Sequence, residues 1–96
     1  MILVRSVFQA KYGRGGELVA LLKEGNQRVP TMPQTRIFTD ASGPFFIVVT
    51  EAEVASLGEW ERVSKEIFAH PDFGEWFARM QPLVDWGRRE FYNIEA

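Results

Sequence analysis

His70 is the single histidine of this 96-residue chain, and its imidazole is the one side chain here that ordinarily titrates near neutral pH. A general base at this position would stand beside Pro71, where a helix has to break. The plainer role is a surface or hinge residue whose ring packs against that break. Arg5 sits inside the apolar run Ile2-Leu3-Val4-Arg5-Ser6-Val7-Phe8. A guanidinium among apolar neighbours is costly to bury without a partner. It suits an anionic or enolate-like substrate, or a salt bridge to Glu51 or Glu90 on a neighbouring strand. Gln9 is a candidate polar group for the same cavity. Trp60, Trp76 and Phe77 can line a pocket for a flat aromatic ligand, or simply fill a core, since they stand at helical spacing with other apolar residues. Glu51, Glu53 and Asp40 would act as bases only if desolvated, and otherwise are solvated strand ends. Arg88-Arg89-Glu90 reads as the charged start of a strand.

Several chemistries are disfavoured. The chain has no cysteine, which removes disulfides, thiolate metal sites and a thiol nucleophile, and is compatible with a reducing cytoplasm. A lone histidine without cysteine leaves no metal-ligand spacing, so no metal is expected. Gly13, Gly15 and Gly16 follow a strand and open a helix, but there is no G-K-[ST], and Leu18 stands where a dinucleotide fingerprint wants glycine. No nucleophile elbow occurs. The net charge is −2 with no basic run, which disfavours nucleic acid. No apolar stretch approaches the roughly 20 residues of a membrane span, and the N-terminus lacks the basic region of a signal peptide.

The elements that must position these residues follow from periodicity. Ile2 to Ala10 alternates as a strand. A helix is expected from Gly15 to Arg28, with Leu18, Leu21, Leu22 and Val29 on one face, stopped by Val29-Pro30-Thr31-Met32-Pro33. Thr35 to Thr39 is a short strand, Asp40 to Pro44 a turn, and Phe45 to Thr50 the strongest strand. Ser56 and Glu59 form a capping box before Leu57, Trp60, Ile67 and Phe68. A second start at Asp72 and Glu75 precedes Phe73, Trp76, Phe77 and Met80, so the second helix should be broken near Pro71. Gly87 marks a turn after a long 81–88 loop, and Arg88 to Ile94 is the last strand.

The order β-α-β-β-α-β over residues 1–96 predicts one ferredoxin-like α+β domain, a four-stranded antiparallel sheet with helices on one face. Right-handed crossovers put both helices on that face. The other face is expected to be apolar, with Phe45, Ile47 and Val49 on one side of the third strand and Phe46 and Val48 on the other. An identical sheet would cover it, giving a homodimer.

Three local features resemble the dimeric α/β-barrel superfamily. Lys11-Tyr12-Gly13-Arg14-Gly15-Gly16-Glu17-Leu18 is similar to its "K-x-G" entry to the first helix. Ile67-Phe68-Ala69-His70-Pro71-Asp72-Phe73-Gly74-Glu75-Trp76 resembles the "HP-x-[FY]" break of antibiotic-biosynthesis-monooxygenase-like and NIPSNAP-like members. Arg89-Glu90-Phe91-Tyr92 resembles the "RE-[IFL]-Y" final strand of NIPSNAP-like proteins. The superfamily holds cofactor-free oxygenases, isomerases, dehydratases and haem-degrading enzymes. Haem degraders use Asn, Trp and His, and the first strand here offers Arg5, Ser6 and Gln9 instead of an Asn. The resemblance therefore implies a cofactor-independent small-molecule enzyme acting on a small aromatic or hydroxy-keto compound, with His70 and Arg5 as its chemical groups. The alternative is a non-catalytic ligand-binding or interaction dimer.

Overall fold

The computed structural model describes residues 1–28 and 33–96. The expected helix stop at Val29-Pro30-Thr31-Met32, and the place of Val29 on the helix face, lie outside the described residues. In chain order the elements are β1 (Ile2–Ala10), α1 (Gly15–Arg28), β2 (Thr35–Thr39), β3 (Ile47–Val54), α2 (Leu57–Ala69), α3 (Phe73–Met80), a 3₁₀ turn (Gln81–Leu83) and β4 (Val84–Asn93). The strands form one antiparallel sheet in the order β2-β3-β1-β4. This is the ferredoxin-like arrangement that the sequence predicts, with the second helix broken into α2 and α3. No helix among the described residues is long and apolar enough to cross a membrane.

Alternation in β1 sorts the sheet into two faces. Val4, Ser6 and Ala10 are buried toward the helices, opposite Ala52, Thr50 and, beyond them, Val48 on β3. Leu18, Leu21 and Leu22 of α1 close over this face with Val63 and Ile67 of α2 and Leu83 of the 3₁₀ turn. Leu18 and Val48 are wholly shielded from solvent, which contributes roughly 1.5–3 kcal/mol each on ordinary transfer values. Val63, not Leu57 or Phe68, completes the α2 stripe, because those two fall outside its inward arc and stay exposed.

Two strands start elsewhere than expected. β3 begins at Ile47, because the turn takes up Phe45 and Phe46. The Asp40 carboxylate accepts the Ile47 N–H at 2.8 Å, and Phe46 turns the chain with φ of 60°. That left-handed conformation is costly for a phenylalanine. It is held by the Ala10 N–H on the Phe46 carbonyl and by the Tyr12 ring edge-on at 4.9 Å. β4 begins at Val84, so there is no long 81–88 loop, and Gly87 lies within the strand opposite Phe8. A Cβ on Gly87 would stand 3.2 Å from the Phe8 ring and 3.3 Å from the Val7 carbonyl. Glycine is there to let the ring cross the strand, not to turn it.

The helix-free face differs from the apolar surface expected. Phe45 is no part of it, and Phe46 packs against the core on the other side. A row of ions runs through its middle. Arg5 meets Glu90 at 2.9 Å and Glu51 at 3.6 Å, and Arg88 meets Glu90 at 2.8 Å. Phe38, Val49, Val7 and Trp86 flank that row, as the strand register places them.

Candidate functional site

A cavity of about 140 Å³ lies between the sheet and the helices. Its floor is Val4, Ser6 and Phe8 of β1, and its walls include Trp60, Ile67 and Trp76. The volume is close to the roughly 150 Å³ that suffices for one benzene ring, and below the roughly 300 Å³ at which drug-sized pockets begin. A smaller lobe of about 40 Å³ adjoins it, sharing Gly25, Ile67, Phe73 and Trp76, and His70 stands there with Asp72 and Arg28.

Local sequence explains how the walls are held. Ser56 caps α2, its hydroxyl accepting the Glu59 N–H at 3.1 Å, while the Glu59 carboxylate accepts the Ala55 N–H. This orients Trp60 one turn later. At the break, the His70 ring holds a backbone N–H just ahead of α3. His70 Nδ1 accepts the Asp72 N–H at 3.1 Å, and Asp72 makes no side-chain cap. α3 then lies on α1, where the indole N–H of Trp76 donates to the Leu21 carbonyl at 2.8 Å. Arg79 grips Glu24 through both carboxylate oxygens, at 2.9 and 3.1 Å. That grip, with Arg28 nearby, holds the Glu24 carboxyl below the usual carboxylate range.

The sequence candidates do not converge on one place. Trp60 and Trp76 line the cavity and His70 its outer lobe. Phe77 stacks on Phe73 at 5.6 Å but faces a separate groove with Met80 and Val84. Arg5 and Gln9 project from the opposite face of the sheet, because odd-numbered residues of β1 point away from Ser6. Arg5 is engaged with Glu90 and Glu51. Gln9 ties the turn after β2, donating to the carbonyls of Phe45 and Ala10 at 2.8 and 3.0 Å. A site that joins Arg5 to His70 within one subunit is therefore ruled out by the strand pleat.

The charged group that does reach the cavity is Arg89. Its Nε donates to the hydroxyl of buried Ser6 at 3.2 Å, and its guanidinium lies 5.0 Å from the centre of the Trp60 ring. Much of the residue's surface is open to solvent, yet the head group is desolvated enough to lower its pKa. The two observations agree if the head, not the stem, is the sheltered part, as its contact with buried Ser6 indicates. Among the described residues no carboxylate pairs with it, in contrast to Arg5, Arg14, Arg28, Arg62, Arg79 and Arg88. Reading residues 88–90 as a charged strand start hid this. The signal was the period of two that puts Arg89 and Phe91 on one side and Arg88 and Glu90 on the other.

Glu90, on the other face, is held at about 2 by hydrogen bonds from Arg88, Arg5 and the Tyr92 hydroxyl. No cluster of three potential metal ligands occurs among the described residues.

No protein-family model matches the sequence, and comparison with curated proteins gives no match. Solved structures do match over the whole chain. A NIPSNAP domain protein from Burkholderia xenovorans, described as uncharacterized, superposes with a TM-score of 0.90 at 15% identity, covering 100% of this chain and 96% of that one. A NIPSNAP family protein from Agrobacterium tumefaciens gives 0.86 at 16% identity, over 96% and 90%. SnoaB, a cofactor-independent oxygenase from Streptomyces nogalater, gives 0.72 at 11% identity, over 99% and 93%. At such identities the likeness is one of fold, and the chain has the ferredoxin-like fold shared by NIPSNAP domain proteins and antibiotic-biosynthesis-monooxygenase-like proteins.

Proposed function

We infer that this protein is a homodimer that binds a small, largely apolar molecule in the cavity between sheet and helices, in the manner of a cofactor-independent enzyme. The observation that carries the reading is the cavity itself: largely apolar walls with a few polar groups, Ser6, Asn26, Thr35, Thr50, Ser64 and Arg89, among them. SnoaB, a cofactor-independent oxygenase of the same fold, supports the class of activity. The test is titration of small aromatic and hydroxy-keto compounds against the protein, followed by amide NMR, with oxygen uptake and product formation measured in parallel. Binding with turnover fits the enzyme. Shifts without turnover fit a binding protein. No shift at Ser64 or Ile67 with any compound refutes the cavity as a site.

Pairing of the helix-free faces is part of the same proposal. Their apolar flanks carry part-exposed Phe38 and Val49 and exposed Trp86. The ions between them are already partnered within one subunit, which lowers the cost of burying them. Light scattering should give about twice the 11.0 kDa chain mass.

The non-catalytic alternative also has an observation in its favour. The lining of the cavity contains no aspartate, glutamate or histidine among the described residues. His70 stands in the outer lobe with Nδ1 already committed to Asp72.

A further inference from the structure

We propose that Arg89 is the recognition group of the cavity and that the ligand is a small planar organic anion, a carboxylate or enolate on a ring-sized apolar body. This rests on the cavity being the binding site.

Three observations lead to it. First, Arg89 uses one of its donors on Ser6, and its terminal nitrogens have no partner among the described residues. A guanidinium is always charged and offers a planar fork that matches a carboxylate. Arg5 and Arg88, on the opposite face, are neutralised by Glu51 and Glu90, whereas Arg89 faces the cavity. Its desolvation is a cost to the folded chain that an incoming anion would offset. Second, the guanidinium is fixed rather than free to swing. Ser6 holds Nε from below, and the Trp60 ring lies alongside. A group pinned this way orients a ligand with little further entropy loss. Third, the remaining lining among the described residues is mostly apolar, its polar members Ser6, Asn26, Thr35, Thr50 and Ser64 being uncharged, and the cavity is about the size of one ring. A carboxylic acid with an ordinary pKa of about 4 is already ionised in neutral solution, and among the described lining residues no carboxylate opposes its charge. The ligand enters as the anion.

Benzoate and benzamide are the probes, because they share shape and differ in charge. Isothermal titration and amide NMR on the intact protein should show benzoate binding at least tenfold tighter than benzamide, with shifts at Ser6, Ser64 and Ile67. Arg89→Gln should weaken benzoate at least tenfold and leave benzamide unchanged. Arg89→Lys keeps the charge without the fork and should restore part of the loss. Circular dichroism of each variant checks that it is folded, and the comparison of Lys with Gln stands even if one is destabilised. Equal affinity of wild type for both probes, or benzoate binding untouched by Arg89→Gln, overturns the assignment while leaving the cavity as a site. If neither probe perturbs the lining residues, the assignment and the site fall together.

Discussion

The indole N–H of Trp76 is bonded to the carbonyl of Leu21, 55 residues away in sequence, and Gly25 one turn further along α1 leaves the space for the ring. A Cβ on Gly25 would stand 3.0 Å from Nε1 and 3.1 Å from Cε2 of that indole. Gly25→Ala thus sets two effects against each other. Helix propensity would gain roughly 1 kcal/mol. Displacing a large ring from its bond would cost roughly 1–3 kcal/mol. The second is expected to win, so the variant should melt lower than wild type. A melting temperature that rises would mean the ring shifts aside at no cost.

Leu18→Ala should cost roughly 3 kcal/mol in urea denaturation, since Leu18 is fully enclosed and its neighbours belong to both helix and sheet. A loss under about 1 kcal/mol would show that the core collapses into the gap.

Ser56→Ala removes the hydroxyl that accepts the Glu59 N–H and should cost roughly 1 kcal/mol. Because Trp60 sits one turn beyond, its fluorescence should also change. Unaltered stability would mean that the Glu59 carboxylate on Ala55 suffices as a cap.

Glu90 has its folded-state pKa depressed to about 2 from an ordinary 4.5. A depressed carboxylate stabilises the fold above its unfolded pKa and loses that contribution as pH falls through the folded one. The acid limb of stability should therefore steepen between about pH 5 and pH 2, and Glu90→Gln should flatten it. Arg5→Ala should raise the Glu90 pKa, read by side-chain carboxyl NMR, because Arg5 is one of the three donors that hold it down. Ligand binding on the far side of the sheet should be unchanged by Arg5→Ala and altered by Arg89→Gln, which separates two arginines that look alike in sequence.

Where local pattern and tertiary demand agreed, the sequence was readable. β1, α1 and β2 occupy the predicted spans, since alternation, Leu spacing and flanking turns all point the same way. The starts of β3 and β4 were not readable from propensity. Phe45 and Phe46 look like strand residues, but the Asp40 carboxylate holding Ile47 decides where pairing begins. Gly87 looks like a turn until Phe8 is known to lie across it. The site was half legible. Trp60, Trp76 and His70 were placed around the cavity, while Arg5 was preferred to Arg89 because its neighbours in sequence are apolar. What distinguishes the two is the pleat, whose period of two sets Arg89 with Ser6 on the cavity side and Arg5 on the other.

The broken second helix leaves α3 without one fully buried residue, fastened to α1 by the Trp76 bond and the Arg79–Glu24 pair. The hollow is consequently built from two kinds of residue: Val4, Leu22 and Ile67, which also belong to the buried core, and Phe73, which α3 contributes from outside it. Exchanging Phe73 would reshape the hollow while leaving in place Leu18 and Val48, neither of which lines it. Only the α3 side of such a scaffold is free to diversify in what it accommodates while its architecture stays put.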